Sequence, residues 1–386
     1  MRISGDWARR SETQAVCAAL SGGGHRALFV GGCVRNDLLG EAVADVDIAT
    51  DARPERVIAL VAGAGMKAVP TGLAHGTITV VCGDLAHEVT TFRRDVETFG
   101  RHATVAFSDD ICADAARRDF TMNALYATPE GAVLDPLGEG LADLTARRVR
   151  FVGDAGARIA EDYLRILRYF RFHAWYGRQE SGLDPVGLAA CAAAADGVST
   201  LSRERIGAEM RKLLAAPDPA PAVAAMDGAG VLARVLPGAG AQALATLVQL
   251  EKGHTGPWLR RLAVLGGTAE AERLRLSRAE ARSLTTLRKA AESQAGAAEL
   301  GYRHGAALAE DIVLARAAIQ PASPPEGWRA EIARGAGVRF PLRTADLARD
   351  VSGPELGALL RRLENRWIAS DFRLTREELL AGDDRP

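Results

Sequence analysis

Residues 28–50 read LFVGGCVRNDLLGEAVADVDIAT, and this stretch decides the fold. An apolar run over residues 27–32 predicts a strand that ends on Gly31 and Gly32. VRNDLLG then reads as a short helix closed by Gly40, and DVDIAT at residues 45–50 as a second strand. A strand that turns through glycine into a helix lets bare backbone approach a ligand and points helix N–H groups at a phosphate. In a chain with 40 Gly, such a pair is weak evidence by itself. Thirteen residues after Gly32, however, come Asp45 and Asp47 at i and i+2. Strand alternation would put both carboxylates on one face of a sheet. Two acids projecting together repel each other unless a cation lies between them. A hard divalent ion such as Mg²⁺, shared with substrate phosphate oxygens, resolves that conflict. Read alone, DxD is ordinarily a solvated strand end or turn; the glycine pair upstream favours the metal reading.

Working outward, residues 76–83 (GTITVVCG) and 87–92 (HEVTTF) are further β-branched runs. PERVIALVAGAG places Pro54 near a helix start, and NALYAT and AVLDP flank a PEG turn as a hairpin would. Glu88 in HEVTTF reads either as a surface strand residue or as a third acid on a neighbouring strand, available to a two-metal site. From Phe151 onward β-runs nearly vanish, and helical periodicity takes over between Gly/Pro breaks. The expected fold is α+β, a mixed-sheet N-terminal domain over residues 1–150 followed by an elongated all-helical region. Its parts are expected at 151–215, 216–320 and 321–386.

Composition narrows the functional classes. A chain of 386 residues is too long for one core, and 48% apolar with 25% charged residues is ordinary globular usage. No apolar stretch reaches the length of a membrane span, and MRISGDWARRSETQ lacks the apolar core of a signal peptide. Five widely spaced cysteines with no CxxC suit a reducing cytoplasm. Net charge is −1, so any polyanion must be met by local basic clusters. The 44 Arg against 4 Lys suit phosphate recognition, although a GC-rich coding bias explains most of that excess equally well.

Two more segments carry candidate chemistry. In ARRDFTMNALY, Arg117 and Arg118 precede Asp119, with Asn123 in the apolar run that follows. Arg beside a phosphate site neutralises triphosphate charge, and Asp or Asn reaches ribose hydroxyls; in isolation the segment is a surface salt-bridge cluster. In EDYLRILRYFR, Asp162, Arg165 and Arg168 are spaced i, i+3, i+6, which on one helix fits an arc of roughly 120°. Arg171 falls nearer the far side. Simple Asp–Arg pairing on a solvated helix accounts for the same spacing.

These pieces, in this order, resemble the class II tRNA nucleotidyltransferase and bacterial poly(A) polymerase family. GGCVRNDLLG…DVDIAT resembles its first motif, ARRDFTMNALY its ribose-recognition motif and EDYLRILR its nucleotide-selecting motif. SRERIGAE, with Arg205 and Glu209, resembles the segment that braces the selecting helix, and VLARVLPG and GPELGALLRRLE resemble later helical landmarks.

The resemblance implies a polymerase-beta-like nucleotidyltransferase head, a helical neck for nucleotide selection, a body and a tRNA-binding tail. It implies Asp45 and Asp47 as ligands of catalytic Mg²⁺; Glu88 stays a candidate third catalytic acid on the reading of its strand alone. Gly32, Arg35, Arg118, Asp162, Arg165, Arg168 and Arg171 would line the nucleotide pocket. The implied reaction adds CMP, CMP and AMP from CTP and ATP to the 3′ end of tRNA, bound by its acceptor arm, with release of pyrophosphate. Cytosine and adenine both show an amine donor beside a ring-nitrogen acceptor, which Asp162 and Arg165 would complement. Uracil and guanine would leave buried polar groups unpaired. Two departures stand out: Asn36 and Phe99 occupy positions where relatives usually carry acids. TGLAHGTITV at residues 71–80 resembles the CCA-adding type more than a poly(A) polymerase, which carries a basic segment there. C-only or A-only addition, a non-catalytic RNA-binding relative and a nucleotide-binding protein-modifying transferase, which would leave the helical half without a purpose, are the other readings. No HD dipeptide occurs, and His254 and His304 stand isolated, so no appended phosphohydrolase is expected.

Overall fold

Leu28–Val30 (β1) is the short central strand that the apolar run predicts, and Asp47–Thr50 (β2) pairs with it antiparallel, Phe29 opposite Ile48. Around this pair the computed structural model, which describes residues 1–99, 102–251, 256–347 and 353–381, builds a seven-stranded mixed sheet. Its order is β3-β4-β5-β2-β1-β8-β9, with β3 Lys67–Gly72, β4 Thr77–Cys82, β5 Leu85–Thr91, β8 Tyr126–Ala127 and β9 Val133–Leu134. β2 and β5 are the parallel pair, and the chain between them runs through the Pro54–Gly63 helix, with Pro at its first turn, and then through β3 and β4. The expected hairpin is present as β8–β9, shorter than its sequence runs. A separate antiparallel ribbon, β6 Arg93–Phe99 with β7 His102–Phe107, follows β5 and has no counterpart in the sequence reading.

Phe29, Ile48, Ile78 and Val89 are wholly buried beneath the sheet, while Glu88 on the alternate face of β5 is exposed. Among the described residues no strand follows Val133–Leu134, and the remainder is helical. This is the α+β architecture expected. The Leu164–Tyr176 helix packs on the sheet domain through aromatic rings: Phe120 and Phe172 centroids lie 4.8 Å apart, and Phe151 and Tyr169 stack at 5.3 Å.

The chain divides into two units. One comprises Met1–Ala241 with Gly267–Leu276, and all the candidate site residues fall within it. The other comprises Gln242–Gly266 with Ser277–Pro386. In the second unit Arg261 is wholly buried, and Glu251 accepts from both Arg260 and Arg261 at 2.7 Å. Also there, Trp367, Leu363 and Leu379 form a core with Tyr302, Phe340 and Phe372. His304 lies in that unit's Ala297–Ile319 helix; His254 is outside the described residues.

One expectation fails locally. EDYLRILRYFR is not one helix. The Ala155–Glu161 helix ends, Asp162 adopts an extended φ of −155° and ψ of 106°, and a new helix starts at Leu164. Asp162 Oδ1 accepts from the Leu164 N–H at 3.0 Å, so the acid that periodicity placed inside a helix starts one instead. The i, i+3, i+6 arc therefore does not include Asp162. Likewise β2 starts at Asp47, leaving Asp45 just before the strand.

Candidate active site

Gly31 sits at φ 70° and ψ −118°, a conformation that a side chain would strain. Its N–H donates to the Leu125 carbonyl at 3.1 Å, which locks the turn onto the strand that becomes β8. The Gly32–Leu39 helix begins there and closes at Gly40 in the left-handed region. Its first intrahelical bond is Arg35 N–H to Gly31 O at 3.0 Å, so the amides of residues 32–34 are not consumed by the helix. A Cβ on Gly31 would lie 3.4 Å from Arg118 Nη1, and one on Gly32 would lie 3.8 Å from Arg35 Nη2. The glycine turn is thus flanked by two guanidinium groups.

Asp47 opens β2 directly opposite Glu88 of the parallel strand β5, and Glu88 N–H donates to Val46 O at 3.3 Å. Asp45 lies two residues upstream, exposed. Partial burial, then the Glu88 charge and, more weakly, Asp45 push the Asp47 carboxyl up to about 6 from its ordinary 3.8, and Arg118 only partly counters them. Negative charge is therefore concentrated here beyond what the protein itself neutralises. Among the described residues no three acidic, His or Cys side chains form a complete metal cage.

The other predicted residues divide between those at this turn and those braced beside it. Arg35 is buried, donates to Asn123 Oδ1 and to Tyr176 OH (2.9 Å), and lies 4.0 Å from the Tyr176 ring centroid. Asn36, one of the two departures, accepts from Arg35 Nη2 at 2.8 Å and donates to Ala42 O at 2.8 Å. Arg168 donates from Nε to Asp119 Oδ2 at 2.7 Å, and Asp119 Oδ1 accepts from Asn123 Nδ2 at 2.9 Å. Burial opposes the Asp119 charge, yet Arg168 and Asn123 hold its carboxyl below the usual range. A hydrogen-bonded chain from Arg168 through Asp119 and Asn123 to Arg35 thus links the Leu164–Tyr176 helix to the glycine turn.

Asp162 and Arg165 are not paired with each other. Arg205 Nη2 donates to Asp162 Oδ2 at 2.6 Å, while Arg165 is held by Glu161 and by the Arg158 carbonyl at 2.8 Å. Arg171 donates to Glu209 at 2.6 Å. Both bracing residues, Arg205 and Glu209, come from the Arg203–Leu214 helix, as the likeness of SRERIGAE implied. Sequence reading missed Glu161, Tyr176, Asp114 and Tyr126. For Asp114 a signal existed: it stands four residues before Arg118 on a short apolar run.

Comparison with known proteins adds to this geometry. Residues 27–150 match the family model described as the poly A polymerase head domain, and residues 183–242 that of the probable RNA and SrmB-binding site of polymerase A. The chain is 44% identical over 187 residues to CCA tRNA nucleotidyltransferase 1, mitochondrial, of Danio rerio, covering 48% of this chain and 43% of that protein. It is 40% identical over 242 residues to the CCA-adding enzyme of Geobacillus thermodenitrificans, covering 62% and 54%. The Bacillus stearothermophilus CCA-adding enzyme, solved in complex with CTP, superposes with a TM-score of 0.72 at 29% identity over 93% of both chains. The chain spans about half the length of the curated relatives it matches.

Proposed function

The chain belongs to the class II tRNA nucleotidyltransferase and poly(A) polymerase family, and from that premise we propose that it adds C, C and A in turn to the 3′ end of tRNA from CTP and ATP. The observation that carries this reading is Asp47, raised by burial and set in register with Glu88, beside an arginine-flanked glycine turn. In the reaction the 3′-hydroxyl oxygen of the RNA bonds to the α-phosphorus of the nucleotide. The α–β bridging bond breaks, pyrophosphate leaves and the hydroxyl proton passes to solvent. Members of this family use divalent metal ions, and here Asp45 and Asp47 would hold Mg²⁺, with Glu88 beside them. The ion, when bound, lowers the pKa of the attacking hydroxyl and offsets charge on the leaving oxygen.

The residues of this chain divide the remaining work. The unconsumed amides of residues 32–34, which follow the glycine turn, and the Arg118 guanidinium take phosphate oxygens, with Gly32 and Arg35 completing that side. Asp162, held by Arg205, presents a carboxylate to an exocyclic amine, while Arg165, Arg168 and Arg171 shape the base side of the pocket. We read 1–150 as catalytic head, 151–215 as selecting neck, 216–320 as body and 321–386 as a tail for the tRNA acceptor arm, recognised by shape and phosphates. The five cysteines are free, which supports a cytoplasmic setting. No described helix is long and apolar enough to cross a membrane.

The test supplies purified protein and Mg²⁺ with tRNA that stops short of its last three nucleotides, and labelled CTP, ATP or both. Two added residues with CTP alone and three with both support the proposal. A long A tract points to the poly(A) branch of the family, single-nucleotide classes to partial addition, and no product in any arm contradicts the reading.

A further inference from the structure

Arg118 is held more tightly than a phosphate-neutralising arginine requires. Its Nε donates to Tyr126 OH at 3.1 Å, its Nη2 donates to Asp114 Oδ2 at 2.9 Å, and Tyr126 OH donates to the same Oδ2 at 2.6 Å. The three groups close a ring of hydrogen bonds. Asp114 is 1% exposed and Tyr126 is wholly buried, so neither anchor is a surface group that drifts with solvent. The other Asp114 oxygen accepts the Arg93 N–H at 3.2 Å and lies 3.8 Å from Arg117 Nη1. Backbone pairing fixes the phenol, because Tyr126 of β8 stands opposite Val30 of β1, the residue before the glycine turn. The guanidinium carbon lies 5.2 Å from the Tyr126 ring centroid. With Nε and Nη2 both engaged, Nη1 is the edge left toward Gly31, where a Cβ would lie 3.4 Å from it.

We propose that Asp114 and Tyr126 are positioning residues whose task is to aim Arg118 Nη1 at the phosphates of the incoming nucleotide. The proposal rests on the nucleotide-addition reading and extends it to two residues that touch no substrate. The physical reason is preorganisation. A free arginine side chain must lose rotamer freedom each time it grips a phosphate, whereas one already clamped on two edges has lost it on folding. Burial opposes the Asp114 charge, but Arg118 and the Tyr126 hydroxyl hold its carboxyl below the usual range, so it stays ionised at neutral pH.

The test is calorimetric binding of inorganic pyrophosphate with Mg²⁺ to the full chain, in a cycle of wild type, Tyr126→Phe, Arg118→Ala and the double variant. Tyr126→Phe keeps the ring and removes only the hydroxyl. Binding should weaken about tenfold in Tyr126→Phe, the size of one hydrogen bond to a charged group. It should weaken no further when the same change is made in Arg118→Ala, since the phenol acts only through the arginine. An equal loss in both backgrounds, or no loss in either, overturns the proposal. Asp114→Asn supplies the same cycle should Tyr126→Phe fail to fold. A wild-type protein that extends no tRNA sinks the nucleotide-addition reading alone, and the pyrophosphate cycle still decides the role of Tyr126.

Discussion

Replacing Asp47 by Asn should make the metal-free protein more stable while destroying its activity. Asp47 is half-buried beside Glu88 and Asp45, and its carboxyl is lifted from 3.8 to about 6. That lift corresponds to about 3 kcal/mol of preference for the protonated form in the fold. An acid raised above its unfolded value gives stability that is fully present at low pH. That stability is lost as pH rises through about 6. At pH 7.5 in EDTA, Asp47→Asn should therefore exceed wild type by up to about 3 kcal/mol in denaturant unfolding. The gap should shrink as pH falls below about 6 and close below about 3.8, where the wild-type acid becomes protonated in both states. Added Mg²⁺ should raise wild-type stability at neutral pH and leave the variant nearly unchanged, because binding to the native state alone is what stabilises. A variant no more stable than wild type at pH 7.5, or a gap that persists unchanged at pH 5, would refute the claim that uncompensated charge is stored here.

Three further outcomes follow from neighbouring geometry. Arg205→Ala removes the 2.6 Å anchor on Asp162, a pair more than a third exposed on each side, so stability should change by less than about 1 kcal/mol. The preference for CTP over UTP in primer extension should nevertheless fall more than tenfold. Glu209→Ala leaves Arg171 without its 2.6 Å partner in a site where the two side chains are 12% and 7% exposed. Denaturant unfolding should show a loss of about 3 kcal/mol. Gly31→Ala forces a side chain onto φ 70° and sets a Cβ 3.4 Å from Arg118 Nη1. It should cost about 1–3 kcal/mol of stability and raise the KM for both nucleotides.

The parts of the site readable in sequence are those that lie close along the chain. Gly31, Gly32, Asp45 and Asp47 fall within seventeen residues, and alternation plus turn chemistry suffices to set them near one end of a sheet. Glu88 came within reach because a β-branched run marks its strand, although only the parallel register shows that it faces Asp47. The break at Asp162 was hidden, since helical spacing of the surrounding apolar residues continues through it. Only the side-chain bond to the Leu164 amide reveals the restart. The braces were hidden for a different reason. Arg205 to Asp162, Arg171 to Glu209 and Tyr126 to Arg118 all depend on tertiary placement, and charges of either sign are plentiful in this chain. Arg165 shows the limit most clearly. Spacing pairs it with Asp162 as well as with Glu161, and the fold chooses Glu161.

The central claim is that Asp45 and Asp47 hold the metal at which RNA is extended. Single-turnover addition of CMP to tRNA lacking its last three nucleotides, at saturating Mg²⁺, compares wild type with Asp45→Asn and Asp47→Asn. Losing a metal ligand removes several kcal/mol of transition-state stabilisation, so each variant should slow by about 10³-fold while binding tRNA as wild type does. A variant that binds tRNA normally and extends it within tenfold of the wild-type rate would contradict the account.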